Sequence, residues 1–131
     1  MKELLTNIIN KIQQIAEKLG LIADYVVEQG TSGNWTYRKW NSGIAECWGN
    51  ISGSFTISTA TGALYYCYSS VTFPSRLFTE IEAIDIDAQS NYGVMANTST
   101  SALEGLTFYL QCATSVTAQC YISFNVKGRW K

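Results

Sequence analysis

Residues 34–49 read NWTYRKWNSGIAECWG, and this stretch decides the class of fold. Trp40 and Ile44 flank the loop Asn41-Ser42-Gly43, which places glycine where a short hairpin connection needs φ > 0. Folding back across that loop sets Thr36 opposite Trp48, Tyr37 opposite Cys47 and Arg38 opposite Glu46. Opposite charges facing across two strands support this register. A solvent-exposed Arg38–Glu46 ion pair contributes under about 1 kcal/mol, and it matters more where a subunit contact partly buries it.

The same alternation, punctuated by turn residues, continues on both sides. Candidate strands are 24–29, 34–40, 43–49, 63–69, 77–87, 91–97, 104–112 and 118–127. Turn residues at 30–33, 41–43, 58–62, 88–90 and 97–101 separate them, and the Ser/Thr-rich stretches 52–62 and 97–101 read as loops. The single proline, Pro74, falls between two strands, where its missing N–H does no harm. Short strands at this spacing predict an all-β antiparallel sandwich over residues 23–131.

Residues 1–22 follow a different period. Leu5, Ile12 and Leu19 fall at heptad a, and Ile8, Ile15 and Ile22 at d, with Met1 also at d. Leu4 and Ile9 widen the stripe, while Lys2, Glu3, Lys11, Gln14 and Lys18 form the polar face. Gly20 marks a plausible stop near the end. An amphipathic helix packed on its own domain fits this pattern too, but a strict 3.5-residue period and a length of ~30 Å favour a stalk. Leucine at a with isoleucine at d favours three or four strands over two. The expectation is an N-terminal α-helix that forms a trimeric coiled coil.

Composition narrows the function. The chain has 131 residues, a net charge of -1, 15% charged and 47% hydrophobic residues, and no histidine. There is no basic excess for a nucleic-acid backbone. The absence of imidazole removes histidine bases, Ser-His and Cys-His nucleophiles and histidine-ligated metals. No phosphate loop or nucleophile elbow is present. No stretch reaches the ~18 apolar residues of a membrane span, and the N-terminus does not read as a secretory signal. The sequons at Asn34, Asn50 and Asn97 therefore read as chance matches.

The run EQGTSGNWTYRKWNSGIAECWG, residues 28–49, resembles the opening of a C-terminal domain common in tail and minor structural proteins of Firmicutes phages and prophages. Later landmarks keep the order of that family: Leu64-Tyr65-Tyr66, Phe73-Pro74 with Phe78, and the closing Gly128-Arg129-Trp130. Many relatives read Tyr-Pro-Phe-x-Phe where this chain has Phe73-Pro74-Ser75-Arg76-Leu77-Phe78. The resemblance covers about residues 25–131. It implies an H-type lectin-like sandwich that assembles as a homotrimer, caps a phage stalk and recognises host-surface saccharide. It also implies other tail or virion proteins as partners, a place in the virion, and assembly in the bacterial host cytoplasm.

Three constellations bear on chemistry. Cys47, Cys67, Cys112 and Cys120 lie inside candidate strands without Cys-x-x-Cys spacing, which disfavours zinc. Four buried free thiols suit a reducing compartment, while Cys112 and Cys120 could also pair across a hairpin. Glu80 and Glu82 would share one strand face, and Asp85 and Asp87 the other. Carboxylates at i, i+2 stand ~7 Å apart, a glycosidase-compatible distance, but a solvated strand face is the simpler reading. Ile81, Ile84 and Ile86 switch the apolar face mid-strand, which predicts a bulge or bend.

Aromatic residues carry the ligand hypothesis. Sugars bind where an aromatic face lies beside short polar side chains, and a charge-poor surface suits a neutral glycan. Tyr65, Tyr66 and Tyr68 cluster on one strand; Trp35, Tyr37, Trp40 and Trp48 cluster on the hairpin. The three tryptophans also suit core or trimer interface, so Tyr65, Tyr92 and Tyr109 are the more open candidates, with Trp35 and Tyr37 beside them. The expected function is a non-enzymatic receptor-binding head without metal or cofactor. The alternative is a purely structural fibre cap or decoration protein.

Overall fold

The computed structural model describes residues 2–18 and 24–131. Met1, Leu19, Gly20 and Ile22, which entered the heptad reading, lie outside the described residues. Helix α1 spans Lys2–Lys18, with Glu3 in its first turn and Lys18 in its last, both complementing the helix dipole. Its apolar stripe lies open: Leu5 is 60% exposed, Ile8 46%, Ile12 61% and Ile15 58%.

Nine strands follow: β1 (Val26–Ser32), β2 (Trp35–Trp40), β3 (Ile44–Ile57), β4 (Thr59–Thr61), β5 (Leu64–Thr72), β6 (Glu80–Gln89), β7 (Met95–Ala102), β8 (Gly105–Cys112) and β9 (Val116–Arg129). They form a sandwich of a five-stranded sheet, β1-β2-β3-β9-β6, and a four-stranded sheet, β4-β5-β8-β7. All pairs are antiparallel. The core lies between the sheets. β8 contributes Leu106, Phe108, Leu110 and Cys112, and β9 contributes Ala118, Cys120, Ile122, Phe124 and Val126. Phe108 meets Phe124 edge-on across the sheets, with ring centres 5.4 Å apart.

The β2–β3 hairpin has the register read from sequence: Thr36 opposite Trp48, Tyr37 opposite Cys47 and Arg38 opposite Glu46. Gly43 takes φ 102° in the connecting loop. The expected irregularity in the acidic strand is a bulge between Ile81 and Ala83. It resets the alternation, so Ile81, Ile84 and Ile86 all turn inward. The carboxylates therefore do not divide between two faces, as a regular strand would have them. Glu80, Glu82, Asp85 and Asp87 are all exposed.

Two stretches read as loops are strands. β3 runs on through Ile57 and pairs with β9 along its whole length, and β4 follows at Thr59–Thr61. Residues 97–101 belong to β7. The physical reason is the same in both places. Ile51, Phe55 and Ile57 pack on the core, while Ser52, Ser54 and Thr56 are the solvent-facing half of a period-two pattern. Small hydroxyl residues that looked like turn chemistry are the outward teeth of a sheet.

The chain enters the sandwich through a clasp. Asp24 accepts hydrogen bonds from the Ser42 backbone N–H at 3.0 Å and from the Ser42 hydroxyl. Asn41 N–H donates to the Tyr25 carbonyl at 2.8 Å. Arg129 donates to the Ser42 carbonyl at 3.0 Å, and Trp130 Nε1 to the Trp40 carbonyl at 2.8 Å. The Ser42 hydroxyl is the main reason that the Asp24 carboxyl lies below its ordinary 3.8. A lowered folded-state pKa stabilises the fold above the unfolded value and ceases to do so as pH falls through the folded one. Asp24→Asn is thus expected to lower the melting temperature slightly at neutral pH. The difference from wild type should vanish as pH drops below 3.8, and a difference that persists there would refute the assignment.

Candidate functional site

The four-stranded sheet contains no charged residue in any of its strands. β5 and β8 pair with Tyr68 opposite Tyr109, Tyr66 opposite Gln111 and Ser70 opposite Thr107. Strand alternation turns Leu106, Phe108, Leu110 and Cys112 into the core, so these paired residues share the outer face. Tyr66, Tyr68 and Tyr109 form a triad there. Ring centres are 5.3 Å apart for Tyr66–Tyr68, 5.6 Å for Tyr66–Tyr109 and 4.7 Å for Tyr68–Tyr109. Tyr68 is 56% exposed.

Short polar side chains surround the rings. Asn97 Nδ2 donates to Gln111 Oε1 at 2.9 Å, and the Ser70 and Thr107 hydroxyls lie 3.5 Å apart. Hydrogen bonding to the Tyr109 hydroxyl is the main cause that pushes Tyr68 up to about 12. Hydrogen bonding to the Ser99 hydroxyl is the main cause that lowers Tyr109. The three rings pack against one another without a ligand. The surface offers aromatic faces, hydroxyls and amides, and no formal charge.

The residues singled out from sequence fall into different places. Tyr109 is in the triad. Tyr92 is exposed on the turn before β7, and its carbonyl accepts from Cys112 Sγ at 3.1 Å. Tyr65 faces inward and packs on the core, opposite Cys112. Trp35 is buried among Phe73 and Phe124, and its Nε1 donates to the Thr72 carbonyl at 2.7 Å. It also lines a cleft of about 360 Å³ together with Asn34, Asn50 and Thr72. Tyr37 packs partly on the core, and the nearby Glu28 carboxylate raises its pKa. Tyr66 and Tyr68, left out of the ligand candidates, complete the triad instead.

Arg38 and Glu46 approach to 3.9 Å, and Arg38 also donates to Gln29 Oε1 at 3.1 Å and lies over the Trp48 ring at 4.9 Å. Trp40 Nε1 donates to Glu46 Oε1 at 3.1 Å. This cluster ties together neighbouring strands of the five-stranded sheet. All four cysteines are free thiols: Cys47, Cys112 and Cys120 are buried, and Cys67 is half-buried. Burial pushes the Cys47 thiol up to about 12, which leaves it unreactive. Among the described residues, no group of histidine, cysteine or carboxylate side chains is placed to hold a metal ion. No described helix is long and apolar enough to cross a membrane.

No protein-family profile matches the sequence. No curated protein matches it either. Solved structures do share its fold. The P. aeruginosa R1 pyocin fibre superposes with a TM-score of 0.62 at 10% identity, covering 86% of this chain and 30% of that one. An N-truncated R1-type pyocin tail fibre gives 0.63 at 10% identity, covering 88% and 94%. An N-truncated R2-type pyocin tail fibre gives 0.50 at 18% identity, covering 87% and 41%. The chain thus spans under a third of the longer R1 fibre structure but nearly all of the truncated one. At these identities the likeness is one of fold, and that fold is the one found in pyocin tail fibres.

Proposed function

We propose that this chain is the receptor-binding head of a phage tail fibre: an H-type lectin-like sandwich, trimeric through an N-terminal coiled coil, that attaches the virion to host cell-surface glycan. The observation that carries this reading is the tyrosine triad on an uncharged sheet. A neutral sugar lays its C–H face on an aromatic ring and exchanges hydrogen bonds with neighbouring amides and hydroxyls. Tyr66, Tyr68 and Tyr109, with Asn97, Gln111 and Thr107 around them, supply both kinds of contact. The fold shared with pyocin tail fibres and the uncovered stripe of α1 support the setting. Other tail proteins are the expected partners, and no catalysis is involved. Each site binds weakly, and three sites on one rigid trimer raise avidity without new contacts.

The double variant Tyr68→Ala/Tyr109→Ala tests the site. Stacking on an aromatic ring contributes about 0.5–1.5 kcal/mol, so losing two rings should weaken glycan-array or host-cell binding by about five- to a hundredfold. Both rings lie on the solvent face, so the melting temperature should hardly move. A purely structural fibre cap is the second reading, favoured by the exposure of Tyr68 and Met95 on the same face. On that reading the variant weakens subunit association instead, and the wild-type protein binds neither glycan nor host cells.

A further inference from the structure

The segment between β5 and β6 plays no part in the tyrosine face, yet it is held firmly. Phe73 N–H donates to the Glu104 carbonyl at 2.8 Å, and Thr79 N–H to the Arg129 carbonyl at 2.7 Å. Phe73, Pro74, Leu77 and Phe78 are buried. Between these anchors Arg76 takes φ 57°, and it is the only described residue other than glycine with positive φ. A long side chain in the left-handed region is an outlier, and such strain collects at ligand sites. Glycine would adopt this conformation freely, so the presence of arginine calls for a reason.

A cavity lies beside it. A pocket of about 450 Å³ has Phe73, Pro74 and Phe78 as its floor and Arg76, Leu103 and Glu104 on its rim. Leu103 is 44% exposed. Among the described residues the ion pairs are Arg38–Glu46 and Lys39–Glu28, so the Arg76 guanidinium is not engaged by a carboxylate.

We propose that this pocket binds a saccharide unit bearing an oxyanion, a uronic acid or a sugar phosphate. The planar guanidinium of Arg76 matches a carboxylate or phosphate with two parallel hydrogen bonds. Glu104, an acceptor only, takes hydrogen bonds from sugar hydroxyls. Leu103 covers the apolar ring face. The inference rests on the glycan reading but names a second and chemically different subsite. The tyrosine face has no charge, whereas this pocket carries both a guanidinium and a carboxylate on its rim.

The test titrates the full chain at low salt with D-glucuronic acid, glucose 6-phosphate and D-glucose, followed by calorimetry and ligand-observed NMR. Either acid should bind at least tenfold more tightly than glucose, and added salt should weaken it. Binding of one acid but not the other identifies the oxyanion. Arg76→Gly should lose this preference while melting near the wild-type temperature, because glycine accepts the backbone conformation. Tyr68→Ala/Tyr109→Ala should leave acid binding unchanged, so a failed tyrosine face and a failed Arg76 pocket give different results. Equal affinity for glucose and both acids, or unchanged acid binding by Arg76→Gly, would overturn the proposal.

Discussion

Ile8→Asp/Ile12→Asp should turn a trimer into a folded monomer. Four isoleucines and leucines of α1, Leu5, Ile8, Ile12 and Ile15, form its seam, and none is covered within the chain. Full burial of each contributes roughly 1.5–3 kcal/mol. A helix of 17 residues is close to the length at which isolated helices become marginal in water, and on the proposed trimeric stalk other copies supply this burial. Aspartates at a and d would bring unpaired carboxylates into an apolar seam, where desolvation opposes assembly strongly. Light scattering should read one 14.5 kDa chain in place of three. Helical circular dichroism should fall while the cooperative unfolding of the sandwich remains. A wild-type monomer at micromolar concentration would sink the stalk proposal. A variant that stays trimeric would move the subunit contact into the sandwich.

Phe108→Ala should cost about 3–5 kcal/mol, a large share of the roughly 5–15 kcal/mol that holds a domain together. Phe108 is fully buried on β8 and meets Phe124 of the opposite sheet at 5.4 Å. Truncation leaves a void where two layers interdigitate, and neither sheet closes over it without breaking strand pairing. The urea midpoint should fall sharply with the slope unchanged. The adjacent Tyr109→Ala provides the control. It is one residue further along the same strand but on the other face, and it should cost no more than about 1 kcal/mol. Similar losses at both positions would contradict the two-layer arrangement.

The contrast between these neighbours shows where sequence was informative. Alternation within one strand is local, and a short loop carries register across two. Thr36, Arg38, Glu46 and Trp48 therefore pair as read, and the three β6 isoleucines revealed the bulge. Direction is harder. Tyr65 and Tyr66 are consecutive, so one must face the core, and both are plausible on either side. Cys67 and Val71, which pack on the core together with Tyr65, mark the inward phase and assign Tyr66 and Tyr68 to the outer face. That signal was present but muted, because cysteine and serine alternate with tyrosine instead of clear hydrophobes. The partner strand β8 lies far along the chain, and no short turn fixes its register. Its Tyr109 could be placed beside Tyr68 only once the sheets were seen. Ser52, Ser54 and Thr56 failed for the opposite reason: their composition spoke for turns, and their pairing with β9 outweighed it.

The clasp at Asp24 has a mechanical consequence. If the chain serves as the proposed attachment head, a particle carried off by flow pulls on it through its point of entry. The load first meets the Asp24–Ser42 contacts and then passes into β1, an edge strand that is mostly exposed and held largely by its pairing with β2. β1 runs away from that entry, from Val26 opposite Trp40 to Ser32 opposite Trp35. A pull along the strand axis would drag it lengthwise past its neighbour, so its hydrogen bonds would share the force and not open one by one like a zipper. The time an attachment survives is then set by an unfolding rate under load, which equilibrium stability alone does not determine.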